Sequence, residues 1–558
     1  KNDGINVVLG NPPYSGASAN RGVWISNLLE DYKKEPGGEI KLQERNPKWI
    51  NDDYVKFIRY AQMFIDKTDG GILAYICPHG FLNNPTFRGM RWQLLQSFNE
   101  IYYIDLHGNS NRKETCPDGS KDENVFDIQQ GVCITIMVKN KKGTNASPCR
   151  VFEYNLYGTR DMKYHFLSGH RFAEIPFAEV TPEGPLYLFK GQDGDLRQQY
   201  ESGIPIAKLF PLNGVGITTA HDDFVISTQK KLLIQRFSEF RNMPRDAERL
   251  YEHFNVRKKA GWDITEGWDN LQGTNDLSGM VLPISYRPFD NRFIFYEDKL
   301  VWRTVRKVME HMIQDNIGFV SARSNKGADS SQFFLTENIM ETKYGERTTQ
   351  SAVFPLFVYE SAFGKVEKKP NLDREIVSRV SGIIELPFIA EKMTVTNDCF
   401  DSYDLLFYLY AYCHSKNYRK KYHDFINMDF PVVPYPQSAT QFFTMRDFGF
   451  RLQVLHLLKF AEPTVGRLEG YGDCGVERCA FSNNRVYINS NQYFSPVPTE
   501  AWEMLIGGYQ PLQKWLKDRR GMKLSEEDAT HYMKIVKALS ETDTIMQEID
   551  EYLLSLEE

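Results

Sequence analysis

The alternation of strand and helix patterns over the first 140 residues constrains the fold of this chain most strongly. Continuous apolar runs with β-branched residues indicate buried strands, and apolar residues at helical spacing indicate amphipathic helices. The strand patterns occupy 6–9, 72–77, 101–108 and the end of 124–140, and the helical patterns occupy 54–66 and 87–98. Buried strands that alternate with helices predict an α/β domain with a mainly parallel sheet.

The pattern changes after about residue 140. Short aromatic-rich strands, Gly/Pro turns and helical pieces interleave there, which predicts a mixed α+β region. We expect a hairpin over 286–296 that turns at Asp290 and Asn291, and an amphipathic helix over 301–313. A long helix begins after Ser525 with a capping-box pattern. Its apolar residues recur at heptad-like spacing, so we expect the chain to end in long, packed helices.

Composition excludes several classes of protein. No apolar run approaches the roughly 18 residues that a membrane span needs, and no signal-peptide pattern is present. The eight cysteines form no CxxC pair and no zinc-like cluster with histidine. We therefore expect reduced thiols, no metal site, no contact with a membrane and a cytoplasmic location.

Net charge does not decide whether the chain binds nucleic acid. The formal charge is −6, but the last eighteen residues hold seven of the 73 acids and no base, so the remainder is near neutral. Phosphate contacts are local, and a near-neutral protein binds DNA when its basic side chains are clustered.

The sequence Asn11-Pro12-Pro13-Tyr14 follows the first predicted strand directly. Proline fixes φ and removes a backbone donor, so this segment forms a stiff corner at the end of the strand, where α/β proteins bind ligands. The Asn11 carboxamide oxygen and the Pro12 carbonyl oxygen can accept hydrogen bonds from one exocyclic amino group. The Tyr14 ring offers a face on which a planar base can stack. This arrangement favours transfer of a group to an aromatic amine.

GNPPY after an apolar strand resembles motif IV of the amino-methyltransferases that use S-adenosylmethionine, in the asparagine form that is usual for N6-adenine enzymes. The downstream order of strand, "FLNNPTFRGMRWQLL" and "NVFDIQQGVCITIMVKN" is similar to the second half of their catalytic domain. The resemblance implies catalytic roles for Asn11, Pro12, Pro13 and Tyr14. It also implies that Phe126 contacts the flipped adenine on the side opposite Tyr14.

Three further stretches resemble the C-terminal specificity region of Type ISP restriction–modification enzymes; they lie at 286–296, 354–359 and 507–550. The resemblance implies double-stranded DNA as a partner, and helicase and nuclease domains in the same polypeptide. We divide the chain into four parts: the second half of a Rossmann-like methyltransferase domain at 1–145, a connecting segment at 146–205, a target-recognition domain at 206–440, and the helical end of the specificity region at 441–558.

We find no cofactor-binding loop of the kind that these methyltransferases contain. In the resembling enzymes a glycine-rich loop precedes motif IV, whereas only ten residues precede Asn11 here. The glycine-rich segments at 211–219 and 469–475 do not lie between a strand and a helix, as such a loop requires. We therefore expect the main S-adenosylmethionine site in sequence upstream of this chain, and an isolated chain that is inactive.

Candidate DNA contacts are basic residues in the second half of the chain: Arg287, Arg292, Arg303, Arg306, Arg323 and Lys326. Arginine and lysine bind phosphates and guanine edges. Residues 281–350 carry ten bases and nine acids, so the sequence shows no basic patch by itself. Two alternatives to site-specific DNA methylation stay open: an NPPY methyltransferase that acts on protein glutamine or ribosomal RNA, and a DNA-specificity module without catalysis.

Overall fold

The computed structural model describes residues 5–14, 16, 18–42, 48–110, 114–140, 148–191, 194–274, 276–324, 330–362, 365–394, 396–461 and 466–557. The chain divides into two compact units, Lys1–Gln198 and Gln199–Glu558. The predicted boundaries at 145, 205 and 440 stay predictions. No helix in the described ranges is both long and apolar enough to span a membrane.

The first unit is an α/β structure, as the alternation predicts. Its elements in chain order are β1 (Val7–Gly10), α1 (Val23–Leu28), α2 (Asp53–Asp66), β2 (Gly71–Pro78), α3 (Arg88–Ser97), β3 (Glu100–Asp105), β4 (Val132–Lys139), β5 (Arg150–Asn155), α4 (Arg160–Gly169) and β6 (Ala178–Val180).

The six strands form one sheet in the order β1-β2-β4-β3-β5-β6. β1 pairs in parallel with β2, and β3 pairs in parallel with β5. β4 lies between β2 and β3 and is antiparallel to both, and β6 is antiparallel to β5. Four of the six strands therefore point the same way. The sheet is mainly parallel in strand direction, as predicted, and β4 and β6 run against the other four strands.

The two faces of this sheet are covered to different extents. Helices α2 and α3 bury one face, in a core that includes Ile58, Leu94 and Met137. On the other face, a second cluster around Ile104 and Leu156 packs against residues of α4. Both faces of a parallel α/β sheet are normally buried. The β1 end of the second face instead stays open, with Val7 56% and Leu9 74% exposed.

The second unit is mixed α+β. α5 (Gly194–Glu201) lies at the boundary in sequence, and the next elements are β7 (Ile204–Pro205), α6 (Ile206–Leu209), β8 (Gly214–Val215), α7 (Asp222–Val225), β9 (Ile226–Ser227), α8 (Lys230–Asn242), α9 (Ala247–His253), α10 (Ile264–Leu271), β10 (Val281–Arg287), β11 (Asp290–Phe295), α11 (Arg306–Met312), β12 (Gly318–Ala322), β13 (Phe334–Thr336), β14 (Ile339–Met340) and β15 (Ser351–Pro355). The remainder comprises β16 (Phe357–Ala362), β17 (Lys365–Pro370), α12 (Arg374–Ile384), α13 (Ser402–His414), α14 (Lys416–Lys421), α15 (His423–Ile426), β18 (Val432–Val433), α16 (Ala439–His456), β19 (Arg467–Glu469), β20 (Ala480–Ser482), β21 (Arg485–Tyr487), β22 (Tyr493–Ser495), α17 (Thr499–Glu503), α18 (Pro511–Lys517) and α19 (Glu526–Ser555).

The strands of the second unit form several small sheets. Three of them have four strands, in the orders β14-β10-β11-β9, β13-β12-β15-β8 and β19-β22-β21-β20, and β16-β17 and β18-β7 are two-stranded. Helices α13, α16 and α19 pack against one another. Gly449 of α16 is required at this contact, because a Cβ there would lie 1.9 Å from the backbone oxygen of Phe407 in α13.

The predicted long C-terminal helix is confirmed. Ser525 caps α19: its Oγ accepts a hydrogen bond from Asp528 N at 3.1 Å, and its own N donates to Asp528 Oδ2 at 3.0 Å. This reciprocal pair is the capping box that the sequence predicts. Of the heptad-like residues, Tyr532, Ile535, Leu539, Met546 and Ile549 are buried, whereas Leu553 and Leu556 near the end are not.

Two local predictions in the second unit are wrong in detail. The hairpin forms, but Arg287 pairs with Asp290, so the turn is at residues 288–289 rather than at Asp290 and Asn291. The helix predicted over 301–313 is only α11, because Arg303 forms a backbone bridge with Thr218 and Val305 has φ of +51°.

Candidate active site and nucleic-acid interface

The carboxyl ends of β1, β2, β3 and β5 lie at the same edge of the first sheet, because these four strands point the same way. The segments that leave this edge begin at Asn11, His79, Leu106 and Leu156. Ligand sites of open α/β sheets are formed at this edge. The NPPY corner therefore lies where its predicted chemistry requires it.

The NPPY corner is held by its own tyrosine. The Tyr14 hydroxyl donates to Asn11 Oδ1 at 2.7 Å and also lies 3.1 Å from the backbone oxygen of Ile76 in β2. Pro12 is buried and Asn11 is exposed. A carboxamide oxygen has two acceptor sites, so Asn11 Oδ1 keeps one for a second donor. The corner thus presents a fixed amide acceptor to solvent.

The protonation of Tyr14 supports this arrangement. Burial raises the pKa of the Tyr14 hydroxyl, and the neighbouring thiols of Cys77 and Cys133 raise it further. A hydroxyl with a raised pKa stays protonated at physiological pH. It therefore remains a hydrogen-bond donor to Asn11.

The structure brings Phe126 to the same place. The Tyr14 and Phe126 rings have centroids 6.5 Å apart with an interplanar angle of 51°. Asn124 fixes the turn that carries Phe126: its Oδ1 accepts from Phe126 N at 2.9 Å, and its Nδ2 donates to the backbone oxygens of Gly108 at 3.0 Å and Gln130 at 2.7 Å. Two aromatic rings that are 112 positions apart in sequence thus face one edge of the sheet.

A network of histidines and carboxylates follows β2 and β3 at this edge. His79 Nδ1 donates to Asp105 Oδ1 at 2.8 Å, and His107 Nδ1 donates to Glu114 Oε1 at 2.8 Å. The His107 ring stacks on Tyr157, with centroids 3.8 Å apart. Burial alone would raise the pKa of Asp105. The charges and hydrogen bonds of His79 and His107 outweigh burial and hold this pKa well below its usual range.

The ligand atoms of His79, Asp105 and His107 lie within 4.8 Å of one another, a spacing that metal sites share. Here the His79 ring forms a hydrogen bond with Asp105, the His107 backbone N donates to Asp105 Oδ1, and the His107 ring forms hydrogen bonds with Glu114 and Asn155. The cluster therefore acts as a network that joins the ends of β2 and β3.

A buried ion pair anchors the loop after β3. Lys163 Nζ of α4 lies 2.7 Å from Asp122 Oδ1, and both side chains are 0% exposed. Lys163 also donates to the backbone oxygens of Leu106 at 2.7 Å and Glu123 at 2.6 Å, while Asp122 Oδ2 accepts from Gly108 N at 2.6 Å. Gly108 has φ of +79°, and a Cβ there would lie 2.4 Å from the Asn124 Cα, so only glycine fits.

Two of the predicted DNA contacts lie in internal ion pairs of the second unit. Arg287 is paired with Glu341 at 2.5 Å, and Arg292 with Asp290 at 2.7 Å and Asp518 at 3.2 Å. The two arginine side chains are only 12% and 15% exposed. Their charges are therefore neutralised locally, which sets them apart from the other candidates.

The other predicted contacts are on the surface. Arg306 pairs with Asp298, and Arg323 pairs with Asp429 at 3.1 Å, with both side chains of each pair well exposed. Arg303 is exposed and lies over the Trp302 ring, 4.4 Å from its centroid. Lys326 lies outside the described residues.

Two protein-family models match separate parts of the chain. The model of the Type ISP C-terminal specificity domain matches residues 208–548. The chain belongs to the Type ISP family. A second model, the Eco57I restriction-modification methylase, matches residues 1–111 of this Type ISP chain. The predicted family is thus confirmed, with methylase and DNA target-recognition regions of a restriction-modification system. The comparison with curated proteins found no match.

Solved structures share the fold of the Type ISP chain. It is similar to the Type ISP enzyme LlaBIII bound to DNA, with TM-score 0.71 and 17% identity, over 98% of this chain and 37% of that one. It is also similar to DrdV in a DNA complex, with TM-score 0.70, 18% identity and coverage of 98% and 57%. It is similar as well to a nuclease-deletion mutant of LlaGI, another Type ISP enzyme, in complex with a DNA substrate mimic. That match has TM-score 0.68 and 17% identity, over 98% of this chain and 52% of that one. The chain therefore spans between about a third and three fifths of each of these proteins.

Sequence patterns did not reveal the network at this edge of the sheet in the Type ISP chain. Asp105 is the last residue of β3, His79 and His107 come directly or shortly after strand ends, and that position was the only available signal. Asp122 and Lys163 are 41 positions apart and lie in a polar loop and a helix, so nothing local marks them as partners.

Proposed function

We propose that this chain supplies the adenine-binding half of an N6-adenine DNA methyltransferase and the target-recognition domain of a restriction–modification enzyme. One observation carries the proposal. The Asn11 carboxamide, held at 2.7 Å by the Tyr14 hydroxyl, lies at the carboxyl end of β1 with one acceptor site free. The Eco57I methylase match to residues 1–111 supports the assignment of this edge as a methylase site.

The chemistry of the substrate explains the NPPY corner. The amino group of adenine is a poor nucleophile, because its lone pair is delocalised into the ring. Asn11 Oδ1 and the Pro12 carbonyl accept its two hydrogens and favour a pyramidal nitrogen whose lone pair points towards the electrophile. No strong base is needed, since the nitrogen loses its proton readily once it is alkylated. Tyr14 stacks on the base, and Phe126 contacts it from the other side.

We assign S-adenosylmethionine as the methyl donor; when bound, it supplies an electrophilic methyl group. The described residues can contact one side of the methyl donor, but they do not enclose it. Among the described strands, β1 pairs only with β2, and Val7 and Leu9 leave an apolar surface at this open edge. Further strands that pair with β1 would bury this surface and hold most of the donor. On this basis the isolated chain is inactive.

Methylation inside a duplex requires the adenine to leave the stack, and selection of one adenine requires contacts to the flanking bases. We assign recognition to the second unit, which contains the matched specificity domain. Exposed cations are the better candidates for DNA contacts; among the described residues these are Arg303, Arg306 and Arg323. Lys326 stays a candidate from the sequence alone. Arg287 and Arg292 instead hold the hairpin in place through their ion pairs.

We place this chain in a larger polypeptide with helicase and nuclease domains, in the cytoplasm. Domain exchange tests the division of labour between its two units. Residues 199–558 are replaced, in the complete natural protein, by the matching region of another Type ISP enzyme. We expect the methylated sequence to change to that of the donor enzyme. If the methylated sequence stays with the catalytic part, the assignment of recognition to the second unit is wrong.

A further inference from the structure

One surface of the second unit concentrates cations without carboxylate partners. Lys259 Nζ lies 3.4 Å from the centroid of the Trp302 ring, and the Arg303 guanidinium carbon lies 4.4 Å from the same centroid. Neither cation has an ion pair among the described residues. We call this surface the Trp302 patch; it consists of Lys259, Trp302 and Arg303 with the adjoining rings of His221 and Trp262.

Neighbouring cations, in contrast, do have carboxylate partners. Lys258 pairs with Glu248, and Arg306 pairs with Asp298. Each of these residues is one to three positions from a member of the patch and has the same chemistry. The patch therefore retains two positive charges that its surroundings do not neutralise.

The backbone holds the patch in a fixed shape. Arg303 N donates to Thr218 O at 3.0 Å, Thr218 N donates back to Arg303 O at 3.1 Å, and Trp302 N donates to Thr219 O at 3.4 Å. This bridge fixes Trp302 and Arg303 beside the segment that carries His221. Trp262 N donates to Lys259 O at 3.1 Å, which closes a turn under the lysine.

Two ring nitrogens in the patch lack a partner. His221 Nε2 and Trp262 Nε1 are shielded and have no hydrogen-bond partner among the described residues. Their rings have centroids 4.9 Å apart. A shielded polar group without a partner is costly, so such groups are commonly completed by a ligand or an ordered water. Burial and the charge of Lys259 lower the pKa of His221, and the charge of Asp222 opposes them.

We propose that the Trp302 patch binds a backbone phosphate of the DNA duplex. This inference rests on the proposed function of the second unit as the target-recognition domain. Unpaired cations on an indole, with further nitrogens beside them, match an anion that has several acceptor oxygens, and a phosphodiester is such an anion. The flexible Lys259 side chain moves towards the phosphate, while Arg303 is already placed by its backbone. The patch contributes affinity and register on the duplex, and it does not read the base sequence.

The test compares patch residues with their paired neighbours in the complete natural protein. Lys259→Met and Arg303→Met remove the charge but keep the aliphatic stem over Trp302. Lys258→Met and Arg245→Met are the matched controls, because these two exposed cations are paired with Glu248 and Asp269. Fluorescence anisotropy measures binding to two duplexes of unrelated sequence between about 50 and 200 mM salt.

For each patch variant we expect about tenfold weaker binding on both duplexes. The slope of log affinity against log salt becomes shallower by about 0.9. The controls keep the wild-type slope, and Lys259→Arg restores it. Patch variants that match their controls, or a loss confined to one duplex, overturn the phosphate assignment and leave the proposed function standing. A wild-type protein with no salt-dependent binding to either duplex overturns both.

Discussion

The Tyr14 hydroxyl lies 2.7 Å from Asn11 Oδ1, so the residue that we propose to stack on the adenine also orients the residue that we propose to bind its amino group. Tyr14→Phe keeps the ring and removes this bond. We expect kcat for DNA methylation to fall about fivefold, because one oriented hydrogen bond contributes on the order of 1 kcal/mol. KM for DNA should change little, since the stacking face is retained. Transfer of a labelled methyl group by the complete natural protein measures both constants.

Tyr102→Phe is the matched control for this prediction. Its hydroxyl donates to Glu100 Oε2 at 3.1 Å at the opposite end of β3, away from the NPPY corner. The control should keep wild-type kcat. Equal kcat in Tyr14→Phe and wild type would show that the hydroxyl does not orient Asn11.

The Lys163–Asp122 pair anchors the loop after β3, and both side chains are 0% exposed. Lys163→Met leaves a buried carboxylate without its counter-charge, which costs about 3 to 5 kcal/mol. We expect amide hydrogen exchange in residues 106–123 to become at least about a hundredfold faster, because every 1.4 kcal/mol is a factor of ten.

The exposed pair of Lys121 and Glu123 provides a control in the same loop, with Lys121 81% exposed. Lys121→Met should change exchange by less than about tenfold, since exposed ion pairs contribute at most about 1 kcal/mol. Similar exchange in the Lys163 and Lys121 variants would contradict the anchoring role of the buried pair.

Two buried histidines make the second unit sensitive to acid. Burial and the nearby charge of Arg419 lower the pKa of His414 to about 3. Burial, and secondarily His414, lower the pKa of His456 well below its usual value. The unfolded chain binds these protons at about pH 6.5. The free energy of unfolding is therefore not reduced by these histidines above about pH 6.5. It decreases progressively as the pH falls from about 6.5 towards the folded-state pKa values of the two histidines.

Urea unfolding between about pH 6.5 and 5.5 measures this loss while carboxylates remain ionised. Each histidine contributes up to about 1.4 kcal/mol per pH unit once the unfolded state is protonated. His414→Gln should remove up to about 1.4 kcal/mol of the stability change over this pH unit. An unchanged pH dependence in His414→Gln would show that this ring is not held neutral.

The open edge of β1 leads to a prediction about the methyl donor. Because Val7 and Leu9 are exposed and β1 pairs only with β2 among the described strands, we expect the 558-residue chain alone to bind S-adenosylmethionine weakly or not at all. Isothermal titration calorimetry of this chain should show no heat of binding at micromolar cofactor, whereas the complete natural protein should bind. Micromolar affinity in the isolated chain would mean that its own residues form the donor site.

Patterns with a short repeat were predictable from the sequence. The alternation of buried strands and amphipathic helices predicts the first unit, and the heptad-like residues after Ser525 predict α19 and its packed face. Asn11-Pro12-Pro13-Tyr14 was identifiable because four adjacent residues carry its chemistry.

Features that depend on distant pairing were not predictable in this way. The antiparallel position of β4 follows from which strands it joins, not from its own pattern. Arg287 looked like a free cation because its partner Glu341 is 54 positions away. Arg292 pairs with Asp518, 226 positions away, and also with Asp290, which the sequence placed in the turn rather than beside the arginine. Asp290, which we expected in the turn, is instead a buried residue of β11. Its carboxylate lies 2.9 Å from Nη2 of Arg519.

The central claim is that the Asn11 carboxamide binds the amino group of one adenine in a defined DNA sequence. The direct test is methylation sequencing of host DNA in cells that carry the complete natural gene or its Asn11→Ala variant. We predict that one sequence-specific N6-methyladenine, present with the wild-type gene, disappears with Asn11→Ala. An identical methylation pattern with both genes would contradict the claim and favour a protein or RNA substrate, or a DNA-specificity module without catalysis.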